Sequence, residues 1–156
     1  MSEFTHLDES GAARMVDVSA KDVSVRTATA TGRVVVSAEV VRLLRDGALP
    51  KGDALAVARI AGIMAAKRTP DLVPLCHPIA LHGVDVDLVV DDAGVVITVT
   101  ARTADRTGVE MEALTSVSVA GLALVDMVKA VDPAAVITDV CVVEKTGGKT
   151  GTWRRP

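Results

Sequence analysis

Glu110 and Glu112 at one end, and Asp126 and Lys129 at the other, bracket a run from Ala113 to Val125 that carries no charge. Carboxylates and an ammonium at the ends of a dry segment are groups able to move protons. Asp126 and Lys129 are spaced i, i+3 and share a helix face. Such a pair is commonly solvated and energetically minor. After an uncharged run it can instead be desolvated, with shifted pKa values and acid–base competence. Spacing alone does not choose between the two.

Glu112 and Asp126 are fourteen positions apart, roughly 21 Å along a helix, too far to share one small ligand within a chain. Fourteen steps of about 100° nevertheless return to nearly the same face. Two copies packed antiparallel across a twofold axis would bring Glu112 of one chain toward Asp126 of the other. The expectation is a site shared between subunits of an isologous dimer.

Other residues suit anion chemistry. Lys51 precedes a predicted helix N-terminus, where ammonium and helix end can hold an anion together; the plainer reading is a loop lysine. Lys67 and Arg68 fall at that helix's far end. With Lys129, Lys145 and Lys149 they make a basic set suited to a small phosphorylated ligand. Cys76, His77 and His82 lack the close Cys pairing of a structural zinc site, so no metal is expected. A metal-dependent hydrolase built on these three is a minor alternative. The tail Gly147-Gly148-Lys149-Thr150 ends like a phosphate-binding loop but has Val143 where the motif needs glycine, so that reading is rejected.

The elements that must position these groups follow from periodicity. Met15 to Ser24 reads as a weak strand or arm. Val25 to Ser37 is a strand with an irregularity at Gly32. Ser37 caps a helix from Ala38 to Asp46, stopped by Gly47, and Asp53 caps a second from Ala54 to Lys67. Ala58, Gly62 and Ala66 put a small-residue stripe on that helix. Thr69 to Pro78 holds three prolines and reads as a stiff loop. Gly83 to Val90 and Val95 to Thr103 form a hairpin around Asp91-Asp92-Ala93-Gly94. Thr107 to Asp132 is the longest helix, apolar enough in its middle to be buried all round, with Thr107 and Glu110 as a capping box. Val136 to Lys145 is the last strand. The expected fold is α+β and ferredoxin-like, βαββαβ with an extra helix, an antiparallel sheet with helices on one face. Residues 1–14 are expected to be flexible, 15–145 to form one domain, and 146–156 to be a flexible Gly-, Lys- and Arg-rich tail.

Composition narrows the class. The 156 residues are 49% hydrophobic and 24% charged, with one Phe, one Trp and no Tyr. A mean hydropathy of +0.39 is high for a soluble monomer and favours an oligomer with a dry interface. Net charge −3 and few aromatics argue against a nucleic-acid or anionic-membrane partner. Two cysteines without CxxC suit a reducing cytoplasm. The N-terminus lacks a signal-peptide pattern, and no uncharged run reaches the ~18 residues of a membrane span.

Several stretches resemble the MoaC family, in order and spacing, from about Thr5 to Gly151. They are MVDVSAK from Met15, KGD from Lys51, ARIAGIMAAKRT from Ala58, LVPLCHP from Leu72, TGVEMEALT from Thr107, VDMVKAVD from Val125 and KTGGKTG from Lys145. The resemblance implies a ferredoxin-like subunit in a homohexamer, a trimer of dimers with sites at the dimer interface. It implies a lyase of molybdenum cofactor biosynthesis. That activity turns 3′,8-cyclo-7,8-dihydroguanosine 5′-triphosphate into cyclic pyranopterin monophosphate and releases pyrophosphate, without a cofactor. By the same resemblance Asp126 is the acid/base, with Lys51 and Lys129 beside it. Leu75, Cys76, His77, Met111, Glu112 and Lys67 contact substrate. The competing reading is a non-catalytic ferredoxin-like module that binds a nucleotide at its dimer interface.

Overall fold

The computed structural model describes residues 5–156. In chain order the elements are β1 (Ser24–Val35), α1 (Ala38–Asp46), α2 (Ala54–Lys67), α3 (Thr69–Leu72), β2 (Leu81–Asp91), β3 (Gly94–Asp105), α4 (Glu110–Val128), β4 (Val136–Thr146) and β5 (Trp153–Arg154). The strands form one antiparallel sheet in the order β2-β3-β1-β4-β5. Helices α2 and α4 pack together on one face of it. This is the expected α+β, ferredoxin-like plan.

The alternation of β1 explains the layering. Ala28, Ala30, Gly32 and Val34 point inward while Thr27, Thr29, Thr31 and Arg33 face the other way. Small residues on the inner face let α4 approach closely. A Cβ built on Gly32 would lie 2.6 Å from Val117 Cγ1, so any side chain there would push α4 off the sheet. The predicted irregularity at Gly32 is present, as register shifts between β1 and β4 on either side of Thr31. Asp139 on β4 takes a left-handed φ of 56° there. Ile97, Val99, Val117 and Leu124 join this core with almost no exposure.

Helices α1 and α2 start and stop at the expected residues. Ser37 and Asp53 accept from Val40 N and Ala56 N, and Gly47 ends α1 at φ 63°. The small stripe on α2 does meet α4: a Cβ on Gly62 would stand 3.0 Å from Ser116 Oγ and 3.3 Å from Ala120 Cβ. The hairpin is closed by Asp91, whose Oδ1 accepts from Ala93 N at 2.9 Å and Gly94 N at 3.0 Å.

Three expectations need correction. The Thr107–Glu110 capping box does not form. Helix α4 starts at Glu110 with Val109 in the capping position and no side-chain cap. Glu110 is drawn instead to Lys145 on β4, at 3.3 Å. The stretch after α2 is not wholly irregular, because Pro70 at the start of α3 costs no hydrogen bond there. Helix α4 is not buried all round within one chain: Met111 is 39% and Leu122 58% exposed. One flank lies on the sheet and another on α2, which leaves the third side open. By length and mean composition α4 could cross a membrane, although its uncharged run, Ala113 to Val125, stays short of a span, as expected. It is a core helix here, packed on β1, β3, β4 and α2.

Candidate active site

The C-terminal end of α4 carries one group of functional side chains. Lys129 ends the helix and Asp126 sits one turn earlier, with Lys129 Nζ 2.8 Å from Asp126 Oδ1. Lys51 arrives from the loop between α1 and α2, in which Gly52 adopts φ 100°. Its Nζ donates to the Asp126 carbonyl oxygen at 2.9 Å and stands 3.6 Å from Oδ1. The Lys129 ammonium, then that of Lys51, hold the Asp126 carboxyl below the usual range. The Asp126 side chain is 60% exposed in the single chain. Of the two readings of the Asp126–Lys129 pair, the solvated one therefore describes the protomer.

The N-terminal end of α4 opens into a cleft of about 620 Å³. Leu75, Cys76 and His77 enter it from the loop before β2, and Met111 and Glu112 from the first turn of α4. Glu112 is 3% exposed. Burial raises its pKa to about 7, and the neighbouring Glu110 charge adds to the effect. Burial, then Glu112, also raises the Cys76 thiol, which makes Cys76 a poorer nucleophile. His77 Nε2 contacts the Val16 carbonyl oxygen at 2.5 Å.

Two predicted residues lie outside this cleft. Lys67 lines a separate hollow of about 180 Å³ together with Ala66, Pro70 and Glu112. It thus approaches the Glu112 region away from the main opening. His82 Nδ1 accepts from Ala104 N at 3.3 Å on the β2–β3 ladder and does not line the cleft with Cys76 and His77. Among the described residues no three His, Cys, Asp or Glu side chains converge as a metal site.

Several lining residues escaped the sequence reading as site residues. Trp153 forms part of the cleft wall, beside Glu110 and Lys145, whose charge the sequence did single out. Thr5 and His6 reach it from the N-terminal segment, whose polarity suggested only mobility, and Val16 and Val18 from the stretch read as a weak strand or arm. Lys21 lines the cleft and also an adjoining basic hollow of about 440 Å³ with Arg26 and Lys149. The one available signal there was the basic Gly-rich tail. Gly148, at φ 75°, brings that tail against the Arg26 guanidinium.

The two groups stay apart in one chain. Helix α4 is continuous from Glu112 to Asp126, roughly 21 Å of axis. One protomer joins Lys51, Asp126 and Lys129, and separately joins Leu75, Cys76, His77, Met111 and Glu112.

The chain is 70% identical over 152 residues to a cyclic pyranopterin monophosphate synthase of Streptomyces coelicolor, covering 97% of this chain and 89% of that one. It is 68% identical over 156 residues to the synthase of that name from Nocardioides sp., covering 98% and 96%. Cyclic pyranopterin monophosphate synthase 2 of Mycobacterium tuberculosis is 61% identical over 153 residues, covering 98% and 92%. The MoaC family profile matches residues 15–148, and with these relatives it shows that the chain belongs to the MoaC family.

Proposed function

We propose that the chain catalyses the cyclic pyranopterin monophosphate synthase reaction of molybdenum cofactor biosynthesis. In this reading 3′,8-cyclo-7,8-dihydroguanosine 5′-triphosphate becomes cyclic pyranopterin monophosphate and pyrophosphate, a phosphorus–oxygen lyase reaction. The observation that carries it is the near-full-length identity of 61–70% to synthases of that name.

The geometry supports the chemistry. Opening a guanine-derived ring and closing a pterin requires several proton transfers, each worth roughly 10²–10⁴ in rate. Asp126, flanked by two ammonium groups, is an ionised carboxylate able to accept a proton. Glu112, with a pKa of about 7, can donate or accept one near neutral pH. Lys51 and Lys129 can stabilise negative charge that develops as the cyclic phosphate forms and pyrophosphate leaves. His77 and Glu112 can hold the edge of the guanine-derived ring.

A site that needs both ends of α4 requires a second copy. The open side of α4, with Met111 and Leu122, and the exposed Val57, Ile60 and Met64 of α2 are apolar surface suited to that contact. We place this interface in a homohexamer built as a trimer of dimers. The two free cysteines suit a reducing, cytoplasmic setting.

The test is incubation with the cyclised GTP intermediate and measurement of pyrophosphate and pterin product. Stoichiometric release of both is expected. Binding without pyrophosphate release would favour the nucleotide-binding module and end the enzymatic reading.

A further inference from the structure

The N-terminal residues form a small built hairpin. Leu7 and Ala13 pair as an antiparallel bridge. Asp8 N donates to Ala12 O at 2.9 Å and Arg14 N to His6 O at 2.8 Å. The Asp8 carboxylate accepts from Ser10 N, Ser10 Oγ and Ala12 N at 2.9, 2.6 and 2.9 Å. Gly11, at φ 82°, makes the turn. The segment is tied to the domain at two points. His77 Nε2 meets the Val16 carbonyl, and Arg106 Nε donates to Lys21 O at 3.0 Å. The segment supplies one wall of the cleft, with Thr5 and His6 ahead of the hairpin turn and Val16 and Val18 after it.

We propose that residues 5–21 are a strap closing the cleft, that His77 is its latch, and that His6 is a ligand-contacting residue presented by the strap. His77 then acts partly as a positioning residue. A ring nitrogen engaged with Val16 is not free for the ligand while the strap is closed. A carbonyl accepts only from a ring N–H, so the contact also sets the tautomer: the proton sits on Nε2. His6 adds a second imidazole able to hydrogen-bond a heteroaromatic ring edge or a phosphate oxygen. The ligand class, a phosphate-bearing compound derived from a purine nucleotide, rests on the function proposed above; the strap and latch do not.

Limited trypsin digestion of the full chain tests the latch without any ligand, because Arg14 lies within the strap. Cleavage after Arg14 should be roughly fivefold to tenfold faster in His77→Ala than in wild type. His77→Gln, whose amide can reach the same carbonyl, should stay within about twofold of wild type. Equal rates in all three would overturn the latch. If His77→Ala does not fold, Asp8→Ala removes the hydrogen bonds that shape the turn and should expose Arg14 in the same way; protection there equal to wild type would refute the strap. For His6→Ala, KM for the cyclised GTP intermediate should rise roughly fivefold to tenfold with kcat within about twofold. An unchanged KM would remove His6 from the site. If wild type releases no pyrophosphate, the proposed reaction fails while the Arg14 cleavage rates still judge the strap.

Discussion

Lys51 grips Asp126 twice, with its ammonium 2.9 Å from the Asp126 carbonyl oxygen and 3.6 Å from the carboxylate. The carbonyl lies in the last turn of α4, where an outside cation complements the negative end of the helix. One side chain therefore both finishes the helix and sets the charge beside the carboxylate. Lys51→Ala should lower kcat by at least about 100-fold, with a much smaller change in KM, since the charge acts on the developing transition state. Steady-state kinetics on the cyclised GTP intermediate check this. A variant with near-normal kcat and a raised KM would reduce Lys51 to a binding residue.

Asp126→Asn keeps the size and the solvent-facing position of the side chain while removing its charge. Folding should be unaffected, and turnover should fall by roughly 10²–10⁴. Pyrophosphate release gives the rate and circular dichroism the fold. Normal product formation would take the acid/base role away from Asp126.

Separation of the two groups along α4 makes mixing experiments informative. Asp126→Asn and Glu112→Gln should each be inactive alone. Unfolded together and reassembled, they should recover about a quarter of wild-type activity, because half of randomly formed dimers are mixed and each mixed dimer holds one intact site. No recovery from well-folded mixed assemblies would mean that the site lies within one chain.

Glu112 should leave a pH signature on stability. Its folded-state pKa is about 7 against an ordinary 4.5, so the unfolded chain releases this proton first as pH rises. The contribution is fully present below about 4.5, declines up to about 7 and is level beyond. It amounts to something on the order of 3 kcal/mol. Glu112→Gln should gain stability over wild type across that window, as read from denaturant midpoints at pH 4.5, 6 and 8. Parallel curves for the two proteins would show that Glu112 is ionised at no cost.

The α2–α4 contact predicts two opposite effects. Ser116 Oγ is buried without a partner, so Ser116→Ala should be neutral or stabilise by up to about 1 kcal/mol. Gly62→Val, forced against Ser116 and Ala120, should destabilise by about 1–3 kcal/mol. Urea unfolding of both variants decides; a stable Gly62→Val would show that the helices can move apart freely.

Local rules made much of the framework legible. Ser37, Gly47 and Asp53 act through side chains and dihedrals within a few residues of where they sit, and Asp91 closes its own hairpin. The start of α4 was not legible for the same reason in reverse. Glu110 is claimed by Lys145 on a distant strand, and sequence spacing cannot weigh that competition. At the site, Asp126 and Lys129 were readable as charge beside an apolar run and Lys51 as a cation ahead of α2, and the three do meet. The wall formed by Thr5, His6 and Trp153 was not readable, because it depends on how the two chain ends cross the mouth of the cleft. Strand β5 is held by only Glu144↔Arg154 and Lys145↔Trp153, too short a pattern to announce itself.

Trp153 is the chain's single tryptophan, in a protein without tyrosine. It stands in the cleft wall with the Arg155 guanidinium 5.7 Å from its ring centre. The molecule thus carries its own optical reporter at the place where a ligand would sit. Ultraviolet-excited emission arises from one indole at one address, so occupancy of the cleft can be followed in real time without attaching a dye.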